Sequence, residues 1–326
     1  MYNTNHHTVA ISELSFLVTG GAGFIGSNIV EYLLQYGAKK VRVLDNFSTG
    51  FKKNIEPFFK HPAFELLEGD IQDLETCKKA MQNIDYVSHQ AALGSVPRSI
   101  NDPITTNNVN ISGFLNMLVA LKETPQVKRM VYAASSSTYG DSKVLPKVEA
   151  VIGNPLSPYA VTKLVNEIYA NVFGTTYNTN TVGLRYFNIF GPRQSPTGAY
   201  AAVIPLFMQA LQENKAPTIN GDGEQTRDFT FVENAVQANV KAFFASNEAK
   251  NKVFNIACGA RISVNTLWKN LNQSANKNIP ANHGPNRQGD VRDSLANIDM
   301  AKALLDYNPT VNVQQGLQRT WEAFTK

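Results

Sequence analysis

The chain has 326 residues, 43% of them apolar, enough to bury a large core in one big domain or two linked ones. Its formal net charge of +4 is spread over scattered Lys and Arg with no basic run longer than two residues, which argues for an ordinary solvated surface and against a nucleic-acid interface. Cys77 and Cys258 stand far apart, without a C-x-x-C or a Cys/His cluster; this excludes a structural zinc site and fits reduced thiols in a cytosolic protein.

No apolar run reaches the length needed to span a membrane, and the polar stretch from Met1 to Ser12 lacks the apolar core of a signal peptide. A soluble, cytoplasmic protein is expected. His6 and His7, in a terminus expected to fray, read as solvated histidines and not as a metal site.

The first predicted element is a strand over 14–18. It breaks into Thr19-Gly20-Gly21-Ala22-Gly23-Phe24-Ile25-Gly26 and resumes as a helix with Ile25, Ile29, Val30, Leu33 and Leu34 on one face. Gly21, Gly23 and Gly26 satisfy G-x-G-x-x-G, and Gly20, Gly23 and Gly26 an equally spaced G-x-x-G-x-x-G. Glycine lets main-chain N–H groups approach a ligand closely, and a helix N-terminus favours phosphate charge, so this turn is the candidate pyrophosphate site of a dinucleotide. A second strand over 41–44 ends in Asp45, about 20 residues beyond the last glycine, where an acid can bind the adenosine ribose hydroxyls. Asn46-Phe47-Ser48-Thr49-Gly50 is polar and flexible enough to wrap the adenosine side. A third strand over 64–67 ends at Gly69-Asp70-Ile71, where Asp70 can accept from the adenine amino group. The fourth, over 86–89, ends in Gln90-Ala91-Ala92, small enough for a cofactor to lie against. His89 on that strand reads as a packed sheet histidine, not a base.

Asp102-Pro103 has the chemistry of a helix start, and Val109, Leu115, Leu118 and Leu121 carry the apolar face of a helix over 104–121. A fifth strand over 129–134 runs into Ser135-Ser136-Ser137. Pro158 then opens a helix over 159–173, and a sixth strand covers 181–187. Uninterrupted alternation of strand and helix predicts an α/β, Rossmann-type doubly wound parallel sheet over 14–187, with ligands at the carboxyl ends of its strands. Beyond Asn188 the rhythm changes: a loop over 191–198, a helix near 204–213, then short elements at irregular spacing. Residues 188–326 are expected to form mainly a smaller C-terminal α/β substrate domain, with some segments free to return to the Rossmann domain.

Tyr159-Ala160-Val161-Thr162-Lys163 puts a phenol and an ammonium on one face of a helix turn, where a cation favours the phenolate of a group whose ordinary pKa is about 10. The same Y-x-x-x-K spacing recurs at Tyr36-Lys40, across a helix end, and at Tyr139-Lys143, across a loop. Only Tyr159 and Lys163 lie inside a helix that follows a strand ending in hydroxyls. The serines there are candidate proton relays, although serines also commonly cap turns.

These stretches, with Arg185-Tyr186-Phe187-Asn188, together resemble the extended short-chain dehydrogenase/reductase family. Within it the chain looks most like the nucleotide-sugar 4-epimerases, and closely like the bacterial UDP-N-acetylglucosamine 4-epimerases of polysaccharide synthesis; the likeness runs from about residue 14 to the end. The resemblance implies a tightly held NAD regenerated in each cycle. Tyr159 would act as base on the sugar's 4-hydroxyl, Ser135 or Ser136 would relay the proton, and Lys163 would hold the nicotinamide ribose and lower the tyrosine pKa. It adds Asn107 and Phe187 to the cofactor residues. On the substrate side it implies Gly94 and Ser95 beside the sugar, with Ser136, Ser137, Gln194, Ala202, Val203 and Asn220. Asn188, Arg227 and Arg287 would hold the diphosphate, and Asp290 a ribose hydroxyl. At Ser294 it puts a gate over the sugar's 2-substituent, where a small residue admits an acetamido group.

NAD is favoured over NADP because Asp45 would repel a 2′-phosphate and Asn46, not arginine, follows it. A 4,6-dehydratase would carry an Asp-Glu pair where Ser136-Ser137 stand. A UDP-glucuronate decarboxylase is harder to separate, and a non-catalytic dinucleotide sensor need not keep Tyr159, Lys163 and the serines in register. The family commonly dimerises through the helices here expected over 104–121 and 159–173, so a homodimer is expected.

Overall fold

The structure, a computed structural model, describes residues 2–196, 201–285 and 292–325. Seven strands form one parallel sheet: β1 (Ser15–Thr19), β2 (Lys40–Asp45), β3 (Phe64–Glu68), β4 (Tyr86–His89), β5 (Arg129–Ser135), β6 (Thr181–Tyr186) and β7 (Lys252–Ile256). Their spatial order is β7-β6-β5-β4-β1-β2-β3, so the chain builds outward from β1 and then crosses back to start again at β4. The crevice between the carboxyl ends of β1 and β4 is the switch point where open α/β sheets take their ligands. The seventh strand comes from beyond residue 188 and pairs with β6, Lys252 opposite Val182 through Ile256 opposite Tyr186.

The helices are α1 (Phe24–Gln35), α2 (Leu74–Met81), α3 (Val96–Asn101), α4 (Pro103–Asn107), α5 (Gly113–Lys122), α6 (Pro158–Tyr177), α7 (Val203–Gln212), α8 (Val232–Phe244), α9 (Val264–Ser274), α10 (Asp299–Leu305) and α11 (Val313–Phe324). Phe16, Leu17 and Val18 of β1 expose nothing, as a strand covered on both faces requires. On one face Ile29 and Leu33 of α1, Val236 and Val240 of α8 and Leu305 of α10 share a core with Phe16 and Val18. On the other, Cys77 and Met81 of α2, Phe114 and Leu118 of α5 and Phe173 of α6 pack on Leu17 and Val87. Burying a side chain of this size contributes about 1.5–3 kcal/mol, which is what holds a helix as short as α2. A third core, with Phe207 of α7, Leu267 of α9 and Leu317 of α11, lies in the C-terminal part.

One expectation is refined and one is corrected. The helix expected over 104–121 runs without a gap from Pro103 to Lys122, but after α4, capped by Asp102 accepting from the Thr105 N–H at 3.0 Å, the run Asn108–Ser112 is π-helical before α5 resumes. Such a bulge re-aims side chains. It brings Asn110 inward, where it accepts from the Leu93 N–H at 2.8 Å and donates to the Leu93 carbonyl at 3.1 Å. The N-terminal stretch, expected to fray, is packed. Tyr2 is buried, and His6 is buried and stacks on Tyr32 of α1 at 5.6 Å. Tyr32, Tyr36 and Phe244 supply aromatic faces that a polar segment can cover, and the imidazole of His6 is pushed down to about 4, chiefly by burial. Among the described residues no helix is long and apolar enough to cross a membrane.

Candidate active site

A cleft of about 550 Å³ opens along the carboxyl ends of β1, β2, β4, β5 and β6. Its floor is the glycine turn. Gly20 has a φ of +66°, and a Cβ there would sit 2.7 Å from the Ala91 nitrogen; a Cβ on Gly26 would sit 2.1 Å from the Gly20 carbonyl oxygen. Any side chain would push α1 off the strand it follows. Gly23 is the N-cap of α1 and brings no side-chain hydrogen bond, and the first turn holds no acid, so the amides and the positive end of the helix remain available to an anion. Asp45 braces the turn from below, accepting from the Ala22 N–H at 2.9 Å and the Phe47 N–H at 2.8 Å. Burial raises its carboxyl above the ordinary range, and those two N–H groups oppose the rise.

Gly20, Gly23, Phe24, Ile25, Gly26, Asp45, Asn46, Ser48, Thr49, Gly50, Asp70, Ile71, Gln90, Ala91 and Ala92 all line this cleft, whereas Gly21 packs beneath it against Val43. Asn46 donates to Asp70 at 2.9 Å, tying the ends of β2 and β3 together. At the far end Gly94, Ser95, Ser135, Tyr159, Lys163, Asn188 and Gln194 complete the wall. Two cofactor candidates lie elsewhere. Asn107 is exposed on α4, next to the buried Thr106, and Phe187 is fully buried in the core behind the wall. His89 is buried below the cleft, bonded through Nδ1 to the Thr19 hydroxyl at 2.8 Å and pushed down to about 3 by burial, with the Lys163 charge adding to the effect. Its proton affinity is too low for a base near neutral pH.

The helix carrying Tyr159 and Lys163 starts where the sequence dictates. Ser157 caps α6 by accepting from the Ala160 N–H at 3.2 Å, and Pro158 takes the first position. The Tyr159 N–H donates to the Ser99 hydroxyl at 3.0 Å, which fixes this turn against α3. Lys163 is buried, donates to the Ala133 carbonyl at 2.8 Å and lies 6.0 Å from the centre of the Tyr159 ring. Burial brings its ammonium down to about 8, with Glu167 one turn on opposing the drop. Burial raises the Tyr159 phenol, and its hydrogen bond to Ser135 pulls it back. Of the three serines only Ser135 is on the cleft wall; its hydroxyl oxygen accepts from the Ser137 N–H at 3.1 Å and the Ser137 hydroxyl at 2.9 Å, while Ser136 begins the 3-10 turn Ser136–Tyr139.

Beyond this end lies a second cavity of about 310 Å³, which shares Asn188, Ile189 and Gln194 with the cleft and is lined also by Ala202, Val203, Asn220 and Arg227. Asn188 donates to the Asp228 carbonyl at 3.0 Å, and Arg227 to the Arg292 carbonyl at 3.3 Å. The Gln194 amide oxygen is buried without a protein partner and is therefore an acceptor in search of a donor. Ser294 is half-buried, its N–H bonded to the Thr226 carbonyl at 3.1 Å, and is on the wall of neither cavity. Arg287 and Asp290 lie outside the described residues. Tyr186 and Val109 also line the cleft and were not anticipated. Tyr186 could have been found from its place at the carboxyl end of β6; it accepts from Asn239 at 2.7 Å and donates to Gln90 at 3.2 Å.

A glycine cradle at a switch point, a braced acid after the second strand and a tyrosine–lysine pair on one helix define a dinucleotide-dependent enzyme of the Rossmann type. The pattern of the NAD dependent epimerase/dehydratase family matches residues 16–257, and the chain belongs to that family. The UDP-glucose 4-epimerase of Mycolicibacterium smegmatis is 33% identical over 310 residues, 94% of this chain and 97% of that one. Among solved structures, the UDP-N-acetylglucosamine 4-epimerase of Methanobrevibacter ruminantium, in complex with UDP-N-acetylmuramic acid, superposes with a TM-score of 0.91 at 35% identity, covering 96% of this chain and 99% of that one. The UDP-glucose 4-epimerase of Thermus thermophilus, in complex with NAD, superposes with a TM-score of 0.86 at 32% identity, covering 96% and 99%. NAD is the cofactor, and the cradle described above fits it.

Proposed function

We propose that the protein interconverts UDP-N-acetylglucosamine and UDP-N-acetylgalactosamine by reversible epimerisation at carbon 4 through a 4-keto sugar, with UDP-glucose and UDP-galactose as slower substrates, in the supply of surface polysaccharide precursors. The observation that carries this reading is that the two cavities adjoin: the dinucleotide cleft, which ends at the Ser135–Tyr159–Lys163 wall, shares Asn188, Ile189 and Gln194 with a second pocket. A sugar at that junction meets the reactive groups while its nucleotide reaches into the pocket. NAD, when bound, supplies a reversible hydride acceptor for carbon 4.

Tyr159 takes the proton from the sugar's 4-hydroxyl and returns it after the ring has turned over, with Ser135 passing it between phenol and sugar. The Lys163 ammonium, protonated at neutral pH, favours the phenolate that burial alone disfavours, and holds the nicotinamide ribose. Asn188, Arg227 and Arg287 hold the diphosphate and Asp290 a ribose hydroxyl. Gly94 and Ser95 leave the sugar loosely held, as a ring that must rotate requires, and Ser294, too small to reach the wall of either cavity, puts no bulk in the way of an acetamido group. The working unit is a homodimer.

The test is proton NMR of the purified protein with UDP-N-acetylglucosamine and no added cofactor. UDP-N-acetylgalactosamine should appear. An unchanged spectrum from folded protein that carries NAD rules the activity out.

A further inference from the structure

The loop that carries Gln194 is held from behind. Arg193, at a φ of +71°, has an unusual backbone for a residue with a side chain, and its guanidinium reaches back to α1, donating to Asn28 at 2.7 Å and to Glu31 at 2.5 Å. Asn28 is fully buried, and both ends of its amide are engaged. It donates to the Phe24 carbonyl at 2.9 Å and the Pro192 carbonyl at 3.2 Å, and accepts from Arg193 and from the Tyr2 hydroxyl, the latter at 2.9 Å. Tyr2 is itself buried, and its carbonyl accepts from Gln35 at the far end of α1. None of Tyr2, Asn28 or Arg193 lines either cavity.

From this geometry we infer that Tyr2, Asn28 and Arg193 are positioning residues for nucleotide binding: the N-terminal arm, through one buried amide, sets where the loop over 191–196 stands between the two cavities. A buried polar network anchored at several points, here with only the Arg193 Nε lacking a partner, has few low-energy arrangements, whereas a loop left with a strained residue and no anchor samples several. Phe24, whose carbonyl Asn28 also grips, lines the cofactor cleft, so the same amide ties the start of α1 to the substrate side. The chemistry does not touch these residues. Their loss should weaken binding of the nucleotide and leave turnover at saturation in place.

The inference rests on the nucleotide-sugar reading of the site, and the probe that separates the two is UDP itself. UDP binding by calorimetry, KM and kcat with UDP-N-acetylglucosamine, NAD content and Tm would be measured on wild type, Tyr2→Phe, Arg193→Lys and Arg193→Met. Loss of a charge-assisted hydrogen bond in Arg193→Met should raise the UDP Kd and the KM about tenfold, and loss of one hydroxyl in Tyr2→Phe about threefold, with kcat within about twofold of wild type. Arg193→Lys, which keeps the charge opposite Glu31, should recover part of the affinity. If Arg193→Met does not fold, Tyr2→Phe and Arg193→Lys decide alone. A UDP Kd within twofold of wild type in every folded variant overturns the inference, as does a fall in kcat with Kd and KM unchanged. Should wild type bind UDP without interconverting the sugars, the proposed activity fails, and the UDP Kd series still decides the positioning role.

Discussion

Ser294 is the residue on which sugar choice is proposed to turn, and its surroundings give the proposal a handle. Its N–H is tied to Thr226, and the next residue but one, Ala296, donates to the buried Asp228 carboxylate at 3.3 Å, so its backbone cannot slide to absorb a larger side chain. Ser294→Tyr should therefore suppress turnover of UDP-N-acetylglucosamine by at least tenfold while sparing UDP-glucose, the size of effect expected when a pocket loses the volume of a substituent. Paired kcat/KM values for the two sugars check this, and equal loss on both counts against the gate. At this scale the sequence was informative where chemistry and spacing coincide. The glycines, Asp45, Asp70, Gln90, Tyr159 and Lys163 were legible because each must stand at a strand end or on one helix face. Asn107 is less legible: it stands on the exposed side of a helix whose buried face carries Thr106 and Asn110, and the run Asn108-Val109-Asn110 does not by itself say which asparagine faces inward.

Helix α6 has two faces with different work. Lys163, Asn166, Glu167, Ala170 and Phe173 are buried, and Glu167 is paired with Arg185 of β6 at 2.7 Å. The opposite stripe, Val161, Ile168 and Val172, is about half exposed, and Ile100 of α3 and Ile104 of α4 are 60% and 73% exposed beside it. Apolar residues at these spacings on a solvent face are the anatomy of a helix pair awaiting its mate. Val161→Glu combined with Ile168→Glu should convert the proposed dimer into a monomer by light scattering, with Tm at matched concentration lowered by the lost association and no longer dependent on protein concentration, since neither side chain contributes to the core. A wild-type protein that is already monomeric contradicts this. The six strands over 15–186, the helix after the glycine turn and those over 104–121 and 159–173 were readable from period and punctuation alone, whereas the short α2 and α3 were not. β7 was not, because Lys252-Val253-Phe254-Asn255-Ile256 is a short run with a polar residue inside it, and its place beside β6 depends on α8 returning across the sheet. The packed N-terminal arm was equally hidden: its contacts are to aromatic side chains on α1 and α8 that no local pattern connects to it.

For the molecule as a whole, the buried titrating groups set how stability responds to acid. His89 and His6 take up protons near pH 3 and pH 4 in the folded state but near 6.5 when unfolded, so below about pH 6.5 the unfolded chain binds more protons and stability falls as the pH is lowered through that window. Asp228 works in the other direction. Burial pushes it up to about 7 despite backbone N–H groups from Cys258, Ala296 and Gly259, so the folded state holds a proton that the unfolded one gives up near 4, and stability falls as pH rises between those values. His89→Leu removes one of these acid-sensitive histidines and leaves Asp228 in place. The loss of unfolding free energy between pH 7 and pH 4.5, measured by urea at fixed protein concentration, should shrink by roughly 2–3 kcal/mol in that variant. An unchanged difference contradicts the assignment.

Everything proposed about activity converges on one oxygen atom, the Tyr159 hydroxyl beside Ser135. Tyr159→Phe removes it and leaves the ring, the helix cap at Ser157 and the Ser99 contact to the Tyr159 N–H in place. Product formation from UDP-N-acetylglucosamine by this variant, at NAD content matched to wild type, should fall by at least 100-fold, the range expected for loss of a positioned acid–base group. Interconversion at the wild-type rate would contradict the account.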